Sequence, residues 1–157
     1  VTQLVSAAPL FKTALHDAAV ILWAGQNVLT TYGMPAFDAF DDVVSFASVT
    51  SQQEPGPMGP LRERREFLTQ EVIFYCFRAG GEEQELVAMN RAYALCAALE
   101  GSVRVGAATH LGYPDVFVQG CFLTDMASDA ATDQDVLSKG RMHVLRATFS
   151  AEARITS

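Results

Sequence analysis

The chain has 157 residues, a formal net charge of −7, 50% hydrophobic residues and 18% charged ones. A chain of this length buries roughly two-thirds of its unfolded surface, so one core suffices without a metal or disulfide framework, and its apolar, lightly charged composition argues against disorder. With 11 Lys and Arg against 18 Asp and Glu, it lacks the phosphate-neutralising surface that grips DNA or RNA, although a negative surface beside DNA keeps a polyanion from sticking.

In chain order, apolar residues from Pro9 to about Trp23 fall at Leu10, Phe11, Ala14, Leu15, Ala18, Ile21 and Leu22, which is helical spacing with proline in the first turn and Gly25 closing the segment. Gln26 to Tyr32, rich in β-branched and aromatic residues, predicts a short strand ended by Gly33 and Pro35. Asp42 to Thr50 predicts a second strand, with Val43, Ala47 and Val49 on one face and Val44 and Phe46 on the other. The stretch QQEPGPMGPLRERR, 52 to 65, carries three prolines and two glycines and is expected to be irregular, with 55–65 a long loop or arm. Glu66 to Arg78 is so dense in apolar residues that it predicts a central strand covered on both faces.

After Gly80 and Gly81, the acidic Glu82, Glu83 and Glu85 mark a helix N-terminus, and Leu86, Met89, Tyr93 and Cys96 predict the helix's apolar face, ending near Gly101. A break-rich stretch follows, with a short strand expected at Val103 to Ala107. The last strands are expected at Asp115 to Thr124 and Arg141 to Ile155, joined by a polar connection from Asp129 to Gly140. In the final strand Leu145, Ala147, Phe149, Ala151, Ala153 and Ile155 share a face that His143 begins. Two antiparallel hairpins flanking a helix make this an α+β fold, a mostly antiparallel sheet with two main helices packed on it, in a single domain spanning 1–157 without internal repeats.

No catalytic constellation emerges. Asp125, Asp129, Asp133 and Asp135 lack the turn glycine and closing bidentate glutamate of a Ca²⁺ loop and read as a solvated connection. His16, His110 and His143 fall on different elements without the clustered spacing of a zinc site. Cys76, Cys96 and Cys121 lie in apolar runs and read as buried free thiols of a reducing compartment, inert as nucleophiles. Glu82, Glu83 and Glu85 are explained by helix-end electrostatics, and Gly80-Gly81 lacks the lysine and Ser/Thr of a phosphate loop. The apolar run Ala18 to Ala24 is too short for a membrane span and follows no basic leader, so neither a transmembrane helix nor a signal peptide is expected. No enzyme activity, cofactor or metal follows from these residues. The feature with functional content is the 55–65 segment, because Arg62, Arg64 and Arg65 form a basic patch in an acidic chain. Asp38, Asp41 and Asp42 are the acidic partners it would meet on a neighbouring copy.

From about residue 10 to 156 the layout resembles the tail-terminator family of long-tailed, siphovirus-type bacteriophages and their prophage relatives. The resemblance is carried by an ordered set of segments: a leading helix running into VLTTYGMPAF, the strand DDVVSFASV, the loop and strand LRERREFLTQEVIFYCF, the helix EEQELVAMNRAYALCAALEGSV, and the closing GRMHVLRATFSAEARI. It implies a small virion subunit, assembled in the host cytoplasm, that forms a ring of usually six copies on the head-proximal end of a tail tube. Such a ring halts tube polymerisation, meets the major tail tube protein on one face and the head–tail connector on the other, and lets DNA pass without specific binding. The exposed strand edges are then expected to be covered by neighbouring copies. A head–tail connector or head-completion subunit is the nearest competing expectation, and a small-ligand-binding domain or enzyme the more distant one.

Overall fold

The computed structural model describes residues 5–33, 41–55, 63–104, 110–131 and 134–156. Helix α1 spans Ala8–Leu22, followed by β1 (Val28–Thr31), β2 (Asp42–Pro55), β3 (Glu63–Ala79), α2 (Glu83–Arg104), β4 (Phe117–Ala130), α3 (Gln134–Lys139) and β5 (Gly140–Thr156). The strands form one sheet in the order β1-β2-β3-β5-β4, with every pairing antiparallel except β1 with β2. The α+β class expected from the sequence is what the chain adopts. The hairpins flanking α2 are β2–β3 and β4–β5, and the parallel β1 is a short addition at one margin.

Helix α1 packs on the sheet through residues four apart: Ala7, Phe11, Leu15, Ala19 and Trp23 are all buried, while Ile21, placed on the apolar face by its spacing, is 77% exposed. Gly25, at φ 80°, takes the left-handed conformation that stops the chain from continuing as helix. The N-cap residue of α1, Ala7, offers no side-chain cap, and the Ser6 hydroxyl just before it accepts the Ala8 N–H at 3.0 Å. A carboxylate from β3 adds to this: Glu66, fully buried, accepts hydrogen bonds from the Ala7 backbone N–H at 2.6 Å, from Gln53 Nε2 at 3.0 Å and from the Ser6 and Ser51 hydroxyls. Burial works against its ionisation, but these donors outweigh burial and hold its pKa below the ordinary 4.5.

Helix α2 departs from its predicted face. Ala88, Ala92, Leu95, Cys96, Leu99 and Val103 are buried, whereas Leu86 and Val87 are 63% and 46% exposed. The first half of the helix meets the sheet through alanines and the second half through Leu95, Leu99 and Val103, while Leu86, Val87 and Met89 are turned outward. The helix also runs past Gly101 to Arg104, so Val103 belongs to it and not to a strand; residues 105–107 of that expected strand lie outside the described residues.

Both long helices share one face of the sheet, against Leu68, Val72, Phe74, Leu145, Ala147 and Phe149. Phe11 stacks 6.0 Å from Phe117 and Trp23 6.4 Å from Phe74, tying α1 to β4 and β3. A bulge between Phe46 and Val49 shifts the phase of β2, so Val49 packs with Val44 and Phe46 and not with Val43 as strict alternation predicts. The connection expected from Asp129 to Gly140 is largely regular instead: β4 continues to Ala130 and α3 fills Gln134–Lys139.

Gly140, where β5 begins, tolerates no side chain. A Cβ there would stand 2.3 Å from the Arg78 carbonyl oxygen and 2.7 Å from Phe77 Cζ. Gly140→Ala is expected to destabilise the chain by about 1–3 kcal/mol, read as a lowered melting temperature in calorimetry. Glu66→Gln is expected to cost about 1.5–3 kcal/mol in urea denaturation, because four donors lose an ionised acceptor. The folded pKa of Glu66 is depressed, so its contribution is complete above the ordinary value of 4.5 and fades as the pH falls through the folded value.

Candidate functional site

The arginines and aspartates singled out in the sequence are placed unevenly. Arg62 and Asp38 lie outside the described residues. The 55–65 loop is shorter than expected, since Pro55 is still paired with Arg64 and Glu54 with Arg65; only 56–62 separate the strands. Proline is compatible here because this part of β2 is a sheet margin, where no ladder donor is missed. Arg65 donates to Glu152 on β5 at 2.6 to 2.7 Å and lies 5.4 Å from the Phe67 ring. Arg64 reaches the Val5 carbonyl oxygen at 3.5 Å.

Asp42 is buried, so it is not the surface partner the sequence suggested. It is clamped from two elements: Arg78 of β3 donates at 2.7 Å to one carboxylate oxygen, and Arg91 of α2 at 3.0 Å to the other. Burial pushes its pKa up, but hydrogen bonds and charge from Arg78 and Arg91 outweigh that and hold it below the ordinary 3.8. The pair ties the helix layer to the start of β2. Asp41, next to it, is exposed, and its carbonyl oxygen accepts the Phe77 N–H at 2.8 Å. Arg64 and Arg65 sit at the opposite end of the β2–β3 pair from Asp41 and Asp42, so the structure does not bring these candidates together within one chain.

Groups with chemical potential are quiet. Burial pushes Cys76 and Cys121 up to about 12 and Cys96 up to about 11, so the thiolate is scarce at neutral pH. Nδ1 of His110 lies 2.8 Å from the Phe117 carbonyl oxygen. His16 lies between the Tyr32 and Phe46 rings. His143 is buried on the inner face with neither ring nitrogen hydrogen-bonded, and burial lowers its pKa against the pull of Glu85 and Asp129. Asp125 and Asp129 are on β4, Asp135 is in the first turn of α3, and Asp133 lies outside the described residues. Among the described residues no group of three or more His, Cys, Asp or Glu is gathered as a metal site, and no helix is long and apolar enough to cross a membrane.

The surface that stands out is the sheet itself. Its outer face carries cross-strand ion pairs, Arg65–Glu152, Arg146–Glu71 at 3.3 Å and Arg154–Glu63 at 2.7 Å, among half-buried Phe67, Tyr75 and Phe77. Val43, Ser45, Ile73 and Glu152 are buried on this face, and the Ser45 hydroxyl donates to the Gly33 carbonyl oxygen; the β3 side chains Phe67, Thr69, Glu71, Tyr75 and Phe77 are only partly covered, less than the central-strand reading expected. A cleft of about 240 Å³ on it is lined by Glu63, Arg65, Val118, Glu152 and Arg154, charges already paired with one another. Val118, Phe122 and Met126 of the margin strand β4 are each 43% exposed. Sequence alternation flagged none of these, because which strands are marginal depends on strand order.

No protein-family model matches the chain. No curated protein matches it in sequence. Solved structures that share its fold include a chain of the virion of a native gene transfer agent particle, with a TM-score of 0.58 and 15% identity over 96% of this chain and 99% of that one.

Two outcomes follow from the site's electrostatics. Asp42→Asn is expected to lose about 1.5–3 kcal/mol of stability in urea titration at neutral pH, with a smaller difference at acid pH where Asp42 itself is protonated. Maleimide labelling of the native chain at neutral pH is expected to leave Cys76, Cys96 and Cys121 largely unmodified until denaturant is added.

Proposed function

We propose that this chain is a structural virion subunit, without enzyme activity, that assembles as a closed ring of six copies and terminates the head-proximal end of a phage tail tube. The observation that carries the reading is the overlap in fold, along nearly the whole of both chains, with a chain of a gene transfer agent virion. The order of segments resembling tail terminators narrows it from virion subunit to terminator. The quiet cysteines and dispersed histidines support it by leaving little for catalysis to use.

In this role the ring caps the growing tube, presents one face to the tail tube protein and the other to the head–tail connector, and passes DNA through a lining that does not hold it. A net charge of −7 suits such a lining, since like charge repels a polyanion. Arg64 and Arg65 at the start of β3, with Asp41, remain candidate contacts between copies, as do Arg62 and Asp38, which lie outside the described residues; Asp42 contributes by holding the fold.

Light scattering with negative-stain imaging tests the reading. A ring of six copies, formed alone or on added tail tubes, is the expected result, and a strict monomer under both conditions contradicts it. Pull-downs against tail tube and against portal or adaptor rings separate terminator from connector: retention by tube is expected, and exclusive retention by the portal or adaptor identifies a connector subunit instead.

A further inference from the structure

The sheet has two long margins facing in opposite directions. β1 covers β2 only opposite Asp42–Ser45, so from Val49 to Pro55, where its register with β3 is regular, β2 has no second neighbouring strand among the described residues. At the far side β4 is bonded, among the described residues, to β5 alone, and its register is regular from Asp125 to Ala130 after bulges in its first half. A sheet meant to stay single blunts such margins with lysines or inward charges, or covers them. Neither β2 nor β4 contains a lysine or arginine; what such devices there are consist of Glu54 and Pro55 at the end of β2, a bulge before Val49, Asp125 and Asp129 on β4 and bulges in its first half, and β4 exposes Val118, Phe122 and Met126.

Strand direction decides what fits. β2 is antiparallel to β3, β3 to β5 and β5 to β4, so β4 runs opposite to β2. Copies related by rotation about a ring axis keep these directions, so β4 of one copy meets β2 of the next in the antiparallel sense that the sheet already uses. That contact joins two different surfaces and propagates, whereas β4 against β4 or β2 against β2 is two-fold and stops at a dimer.

We propose that the outer edge of β4 pairs antiparallel with the outer edge of β2, around Val49–Pro55, of a second copy of this chain, so that the ring closes on one continuous sheet. This rests on the assembly reading above and names the surfaces that carry it. The short β1 then acts as a stop, ending the available edge of β2 and limiting the stagger between copies.

Cysteine pairs test it in the full chain: Phe122→Cys combined in turn with Thr50→Cys, Gln52→Cys or Glu54→Cys, all at exposed positions. Within one copy these sites are three strand spacings apart, about 14 Å, beyond the roughly 7 Å that a disulfide spans between Cα atoms. Mild oxidation is expected to give, for at least one pair, a covalent ladder reaching the ring's mass, absent from the single-cysteine parents. Phe122→Lys is expected to lose the ring with an unchanged melting temperature. A ring that assembles normally yet yields no ladder from any pair overturns the edge pairing and leaves the assembly reading standing. Phe122→Cys alone giving dimers in high yield overturns it in favour of a two-fold contact. A wild-type chain that never assembles, with or without tail tubes, overturns both.

Discussion

The β3–β5 ladder sets what everything else in the molecule can be. Both strands are 17 residues long and paired from Glu63 with Thr156 to Ala79 with Gly140. At about 3.4 Å per residue they run about 55 Å, while α2, with 22 residues, is about 33 Å long. Two helices on one face can bury the inner side of such a sheet but cannot wrap it. Among the described residues, the opposite face is covered only in part, around Val43, Ser45, Ile73 and Glu152, and elsewhere it carries side-chain ladders.

Two buried carboxylates fasten the helix layer to this platform. Glu66 receives the start of α1 near one end of β3, and Asp42 receives Arg91 of α2 near the other. Each carboxylate is fully engaged by donors within its own chain and is held ionised against the cost of burial. The acidic groups with the most constrained surroundings therefore serve the fold. Among the described residues, what remains outward is backbone edge, paired surface charge and scattered apolar side chains.

Much of this architecture could be read from local pattern. Alternation in β5 fixes its buried face because each inward position is apolar from Leu145 to Ile155, and proline and glycine mark the two ends of α1 while the acidic run marks the start of α2, which continues past Gly101. Three features escaped for definable reasons. The inner face of α2 is built from Ala88, Ala92 and Leu95, and alanine carries too little hydrophobic contrast to show a face when Leu86 and Val87 stand beside it. Asp42 looks like a solvent-facing strand end because its partners, Arg78 and Arg91, lie 36 and 49 residues away in sequence. Pro55 reads as a strand breaker, and its acceptance depends on β2 being marginal, a property of strand order that no local window contains. The candidate contact surface was legible in kind, as exposed edges, but not in place.

Backbone hydrogen exchange followed by mass spectrometry, comparing dilute chain with assembled chain, tests most directly whether the sheet is completed by other copies. The account predicts that amides in 49–55 and 117–130 exchange readily in the dilute chain and gain strong protection on assembly, while those of β3 and β5 are protected throughout. Assembly that leaves both margins exchanging as fast as before, with new protection confined to the outer surfaces of α1 and α2, contradicts it.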